Sequence, residues 1–373
     1  LPAMAKTIKV ASTEAKPGEK AFGYLHVGHL AAGTEVRIPF QLVNGVEAGP
    51  KLCLESTMHG WEPMGAEIIR RAMLRVDAKK LRGSIYCIPL ASPMTVEFGG
   101  TIESAGLRVN PVDVLDMNRV WPGKKVNGWL TEQMAHALWT EVVTQCDTIV
   151  DLHDGTGSCD EMPVAFPQGF PTDPGRAVSG GVADGTGTFF EGKQLTSQFL
   201  GDMKEKIRGM AMAFGSPVIW WRENPINPAM LSGQCTLNGI VALVAECGGG
   251  GMIDYTIDQG VECLLNILKY LNMIDGEPVL PKRQLMVSDY VVYRSLEGGF
   301  YLQEEGISLG GNVSKGQVIG RVIDPLTSAV REECIAPVNG ILVSRRIRMP
   351  INPGGYIAHI ANTDAVIWER ENP

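Results

Sequence analysis

Three short apolar runs in this chain stop at a residue able to bind a metal or move a proton. Residues 51–57 run into His59, residues 148–152 (T-I-V-D-L) stop at His153, and residues 240–245 (I-V-A-L-V-A) stop at Glu246. Runs of this length bounded by turn residues read as buried strands. Segments with helical spacing separate them: 62–76, 130–143, 195–214 and 257–271. Residues 84–90 read as another strand, and 20–48 as strands and turns leading in. Strand alternating with helix predicts an α/β fold, a mixed but mostly parallel sheet flanked by helices. In such sheets ligands bind beyond the carboxyl ends of the strands. Three chemically able residues at three such ends therefore point to one site.

The composition fits this reading. Apolar residues are 45% and charged residues 20% of 373, enough for a large core. A net charge of −8 and the lack of a long basic run argue against nucleic acid as a partner. No run of 18 apolar residues predicts a membrane span. The opening residues lack the apolar centre of a signal peptide. Eight scattered cysteines without a C-x-x-C pair read as reduced, buried thiols, so the expected location is cytoplasmic. After Pro281 the pattern changes to short strands broken by Gly and Pro. This predicts a catalytic domain over 1–282 and a small β domain over 283–373.

His59 and Glu62 stand three apart at a strand-to-helix turn, so both can face one point, and His153 can close the set from a distant segment. Two imidazoles and a carboxylate suit zinc, one ion per chain, with a fourth position open for water. Nickel, cobalt or manganese are compatible with the same donors. Asp151 shares a strand face with His153 and is positioned to orient it. A His-x-x-Glu pair alone arises often by chance, and a histidine after a strand is often structural. His26, His29, His136 and His359 are read as structural or surface residues. The glycines 248–251 after Glu246 suggest tight turns or close backbone approach. No G-K-[ST] follows, so they are not a phosphate loop.

Four motifs occur in one order: H-G-W-E at 59–62, D-M-N-R-V-W-P-G at 116–123, D-L-H at 151–153 and V-A-E at 244–246. In that order they resemble the succinylglutamate desuccinylase/aspartoacylase family, which shares the zinc carboxypeptidase fold and carries a C-terminal β domain. The resemblance implies zinc held by His59, Glu62 and His153, with Glu246 as the catalytic carboxylate. It implies that Asn118 and Arg119 meet an anionic part of a small substrate, and that Arg108 polarises the scissile carbonyl. Trp61 stands where the family usually has a small polar residue. Met117 and Trp121 replace the more usual Leu and Phe. Trp61, Trp121, Trp220 and Trp221 are candidates to line an aromatic pocket, with core packing the alternative for each.

Residues 312–361 resemble a barrel-sandwich hybrid, but residues 322–330 contain no lysine to carry a swinging cofactor arm. The module is expected to shape the site entrance or support assembly, and the chain is compatible with a homo-oligomer. The expected activity is metal-dependent hydrolysis of the amide bond of a small N-acyl amino acid or N-acyl amine. The alternatives are a zinc carboxypeptidase on short peptides and a binding or scaffold protein without catalysis.

Overall fold

The computed structural model describes residues 3–98, 106–168, 177–183, 187–249 and 254–371. A ten-stranded mixed sheet forms the spine. Its middle is parallel: Arg82–Ile88, Glu47–Ser56, Thr148–His153 and Val241–Glu246 lie side by side. Thr148–His153 is wholly buried, Val241–Glu246 largely so, and Glu47–Ser56 over its last five residues, as central parallel strands are.

One edge is the antiparallel pair Lys20–His29 and Glu35–Asn44. Beyond Val241–Glu246 the sheet continues through Val164–Ala165, Val218–Trp220, Arg283–Val287 and Val366–Glu371. The segment expected to be separate, 283–373, thus contributes its first and last strands to the main sheet, with its own body between them.

Helices Met64–Leu74, Ser197–Phe214 and Asp254–Tyr270 pack on one face, with Ile68, Ile207, Phe214 and Leu264 in the core. Leu130–Glu141 and Leu231–Leu237 cover the other face through Met134, Leu138 and Leu231. The expected strands and helices thus form, with ends displaced by at most four residues. Residues 155–194 hold short strands where a long loop was expected, and residues 169–176 and 184–186 of that stretch lie outside the described residues.

The C-terminal body has two small sheets around Tyr301, Ile319, Leu342 and Ile360. Gly340–Arg346 extends one of them to Cys159–Glu161, just past the His153 strand. Among the described residues no helix is long and apolar enough to cross a membrane.

Candidate metal centre

The Glu47–Ser56 strand ends in a left-handed residue, Thr57 (φ 56°), unusual for a β-branched side chain. That bend turns the chain toward the sheet's carboxyl edge. The Glu62 amide closes the next turn by donating to the His59 carbonyl at 3.0 Å. The Met64 amide, at the start of the following helix, donates to Asp154 Oδ2 at 3.0 Å. The residue after His153 thereby caps the helix that follows Glu62, and two distant segments are clamped together.

Glu62 Oε2 lies 2.9 Å from His59 Nδ1 and 2.7 Å from His153 Nδ1. One ligand atom from each of the three falls within 4.8 Å of the others, and all three residues are buried. Bonds of about 2.0–2.2 Å, as zinc makes to nitrogen and oxygen, bridge donors so spaced. Burial alone would raise the Glu62 pKa, but the two imidazoles hold its carboxyl well below the usual carboxylate range. It is ready to ligate as a carboxylate.

The outer ring nitrogens face carboxylates. His59 Nε2 lies 3.0 Å from Asp116 Oδ1. His153 Nε2 lies 3.1 Å from Asp151 Oδ1, without hydrogen-bond geometry. Such partners orient metal-binding imidazoles. Burial disfavours the Asp116 charge, yet His59 and Arg108 bring its pKa down to about 2. Glu55 pairs with Asp151 across the strands and is fully buried; burial and the Asp151 charge push its carboxyl up.

Glu246 is the register partner of His153 on the adjacent parallel strand. Burial, then the charge of Glu161, push its carboxyl well up, against a downward pull from His153. Glu161 itself is buried; it accepts a hydrogen bond from the Tyr290 hydroxyl at 3.0 Å and lies 3.2 Å from His359 Nδ1. Neither Glu161 nor Tyr290 stood out in the sequence, because no local spacing ties them to Glu246. The Cβ that Gly249 lacks would sit 1.8 Å from the Cys159 carbonyl oxygen, so glycine there allows close backbone approach. Residues 250–253 lie outside the described residues.

Arg108 binds Asp116 Oδ2 through Nε at 3.1 Å and a terminal nitrogen at 3.0 Å. The 116–119 turn therefore pairs its aspartate with Arg108 and His59. Arg119 is exposed and donates to the Asn118 carbonyl at 2.7 Å. Asn118 is buried, and its side-chain oxygen accepts from the Leu231 amide at 3.1 Å. Of the four tryptophans, Trp61 reaches the metal group, donating to Glu62 Oε1 at 3.0 Å. Trp121 and Trp221 sit in the cores on opposite faces of the sheet, and Trp220 stacks on Tyr290 with ring centres 4.2 Å apart. A single aromatic pocket of all four does not form.

A cavity of ≈ 720 Å³ lined by Asp147, Thr148, Asn238 and Val241 opens at the amino ends of the same strands. That is the opposite end of the sheet from the histidines.

Fold and donor set together define an α/β protein with a His/Glu/His group at the carboxyl edge of its sheet that could hold a metal ion. Residues 48–171 match the succinylglutamate desuccinylase/aspartoacylase catalytic domain. The matched segment holds His59, Glu62, Arg108, Asn118, Arg119 and His153. The chain is 27% identical over 336 residues to the N-alpha-acetyl-L-2,4-diaminobutyric acid deacetylase of Halomonas elongata, covering 87% of this chain and 86% of that one. It shares its fold with the succinylglutamate desuccinylase/aspartoacylase of Rhodobacter sphaeroides: TM-score 0.70, 22% identity, 91% of this chain and 95% of that one. It likewise resembles the product-bound ectoine utilization protein EutE (DoeB) of Ruegeria pomeroyi: TM-score 0.72, 22% identity, 97% and 100% coverage.

Proposed function

We propose that this protein is a zinc-dependent deacylase that hydrolyses the amide bond of a small N-acyl amino acid or related N-acyl amine. The observation that carries the proposal is the convergence of His59, Glu62 and His153 with Glu246 in register beside them. His59, Glu62 and His153 would hold a zinc ion, which would supply Lewis acidity and lower the pKa of a bound water to about 7.

Glu246 takes the proton of the attacking water and returns it to the leaving amine. Its raised pKa suits a group that must hold a proton between the two transfers. Arg108, anchored by Asp116 and half-exposed, offers its free N–H groups to the oxygen that gains charge as the carbonyl is attacked. Exposed Arg119 presents a planar donor fork to a substrate carboxylate, and Asn118 fixes the turn that carries it. Asp116 and Asp151 hold the two imidazoles in orientation.

The relative from Halomonas elongata acts, by its name, on an N-acetylated diamino acid, which supports a substrate of this size. We also assign the protein to the cytoplasm, a reading supported by eight free, buried cysteines.

The test is a panel of N-acetyl, N-formyl and N-succinyl amino acids and diamines, offered to the zinc-loaded protein beside Glu246→Gln. Turnover in the wild type that the variant loses is expected. Absence of turnover across the panel with one zinc bound per chain would remove the substrate class, and failure to retain any metal would remove the site.

A further inference from the structure

A second cavity, ≈ 360 Å³, opens at the seam between the metal centre and the C-terminal body. Trp61 lines one wall, Thr156 and Ser158 another, and Arg294, Arg346 and Arg348 of the C-terminal body the rest. Among the described residues no acidic side chain lines it, in a chain whose net charge is −8. Strand pairing places the arginines. Arg346 is the register partner of Cys159, and the Ile347 amide donates to the Ser158 carbonyl at 2.9 Å.

Among the described residues, the charges in this cavity lack counter-ions. Arg346 is 8% exposed, and its guanidinium donates only to the backbone carbonyls of Arg348, Pro350 and Tyr356. Arg294 donates to the Gly354 carbonyl and the Tyr356 hydroxyl, with its guanidinium 4.0 Å from the Tyr356 ring centre. Among the described residues, none of the three arginines has a carboxylate within ion-pair distance, and the Arg348 guanidinium has no hydrogen-bond partner. Burial and the nearby Arg348 charge lower the Arg346 pKa, against upward pulls from Cys159 and Tyr301. A buried cation without a counter-ion is costly, and an entering anion relieves the cost. Guanidinium forks and two hydroxyls match the oxygens of a carboxylate or phosphate.

We propose that this cavity binds an oxyanion, specifically a carboxylate of the substrate on the side away from the amide that is cut. The assignment rests on the deacylase reading above. Trp61 supplies the link, since it walls the cavity and donates to the metal ligand Glu62. A substrate lying across Trp61 therefore has its amide at the metal centre and its remote carboxylate among the arginines. The selected substrates carry a carboxylate beyond the one assigned to Arg119.

The test compares amides that differ by one remote carboxylate: N-succinyl against N-butanoyl, and N-acetylglutamate against N-acetylglutamine. Wild type should favour the acidic member of one pair by tenfold or more in kcat/KM. Arg348→Gln and Arg294→Gln should shrink that ratio through KM, and Arg348→Lys should restore part of it. Arg346 is left intact because its bonds hold the 346–356 segment together. A ratio that the variants leave unchanged overturns the proposal.

Calorimetric titration of the intact protein with N-acetylglutamate or inorganic phosphate needs no turnover. Binding that Glu246→Gln keeps and Arg348→Gln loses supports the site even if no amide is cut, which separates its fate from that of the deacylase reading. Phosphate binding that depends on Arg348, without discrimination within either substrate pair, would replace the substrate role with a free-anion site and overturn the proposal as stated. Absence of Arg348-dependent binding for both ligands also overturns it.

Discussion

Glu246 and His153 face each other in register across two adjacent parallel strands, at the last position of each. A proposed metal ligand and a carboxylate with a raised pKa thus share one edge of the sheet, held by the ladder that also carries the Cys247 amide to the His153 carbonyl at 2.9 Å. The pairing carries the assignment of roles, because proton transfer demands placement before it demands any particular pKa.

Removing the Glu246 carboxylate while keeping its shape should therefore separate binding from chemistry. Glu246→Gln is expected to lower kcat by about 10²–10⁴. Metal content by atomic emission and the far-UV spectrum should match the wild type. A variant within a few-fold of wild-type turnover would take Glu246 out of the proton transfer.

Asp116 touches His59 Nε2 and Arg108 together, so it supports a proposed metal ligand and a proposed carbonyl-binding group at once. Asp116→Asn should weaken zinc about 10–100-fold, the usual cost of losing an outer carboxylate partner. Competition against a chromophoric chelator reads this directly. An unchanged zinc affinity would leave Asp116 a merely structural residue.

Zinc binding should be visible in stability. Two imidazoles and a carboxylate brought together in the fold are scattered in the unfolded chain, so an ion that prefers the fold stabilises it. At a free concentration about 1,000 times Kd the gain is about 4 kcal/mol. Chelator treatment should lower Tm by several degrees and zinc should restore it. His153→Ala should abolish the difference between the two melts.

Gly249→Ala should destabilise the fold by about 2 kcal/mol or more, since its new Cβ would meet the Cys159 carbonyl oxygen at 1.8 Å. Urea unfolding monitored by tryptophan fluorescence measures it. An unchanged midpoint would show that the strand end and the 159–161 segment can separate at little cost.

Acid should expose a different set of contacts. Arg70 and then Arg71 hold the Glu67 carboxyl down to about 2, against a smaller opposing effect of burial. Its unfolded value is about 4.3. The folded pKa is the lower one, so the stabilisation is present above about pH 4.3 and is lost as pH falls through 2. Melts from pH 5 to pH 2 should fall less steeply for Glu67→Gln than for the wild type, and parallel curves would contradict the pairing.

Much of the metal centre was legible locally. His59 and Glu62 are three residues apart in one turn, and a strand stop marks each of His153 and Glu246. The tryptophans show the limit of such reading. Trp61 and Trp121 look alike in the sequence, yet one bonds to Glu62 and the other is core, a difference set by which face each segment presents. Asp116 was legible as part of a motif, but its choice of Arg108 and His59 depends on how a loop folds back. Local spacing does not record that.

By itself, the sequence determined the central strands of the main sheet, most of its long helices and the stops that place donors at its carboxyl edge, because periodicity and turn chemistry act over a few residues. Only the tertiary structure decided that the C-terminal segment enters the main sheet at both ends, that Glu161 and Tyr290 lie behind Glu246, and that Arg294, Arg346 and Arg348 gather beside Trp61. Those relations join residues far apart in the chain, Trp61 and Arg294 among them. They depend on strand register and on which apolar faces bury each other, and the whole packed core settles both at once.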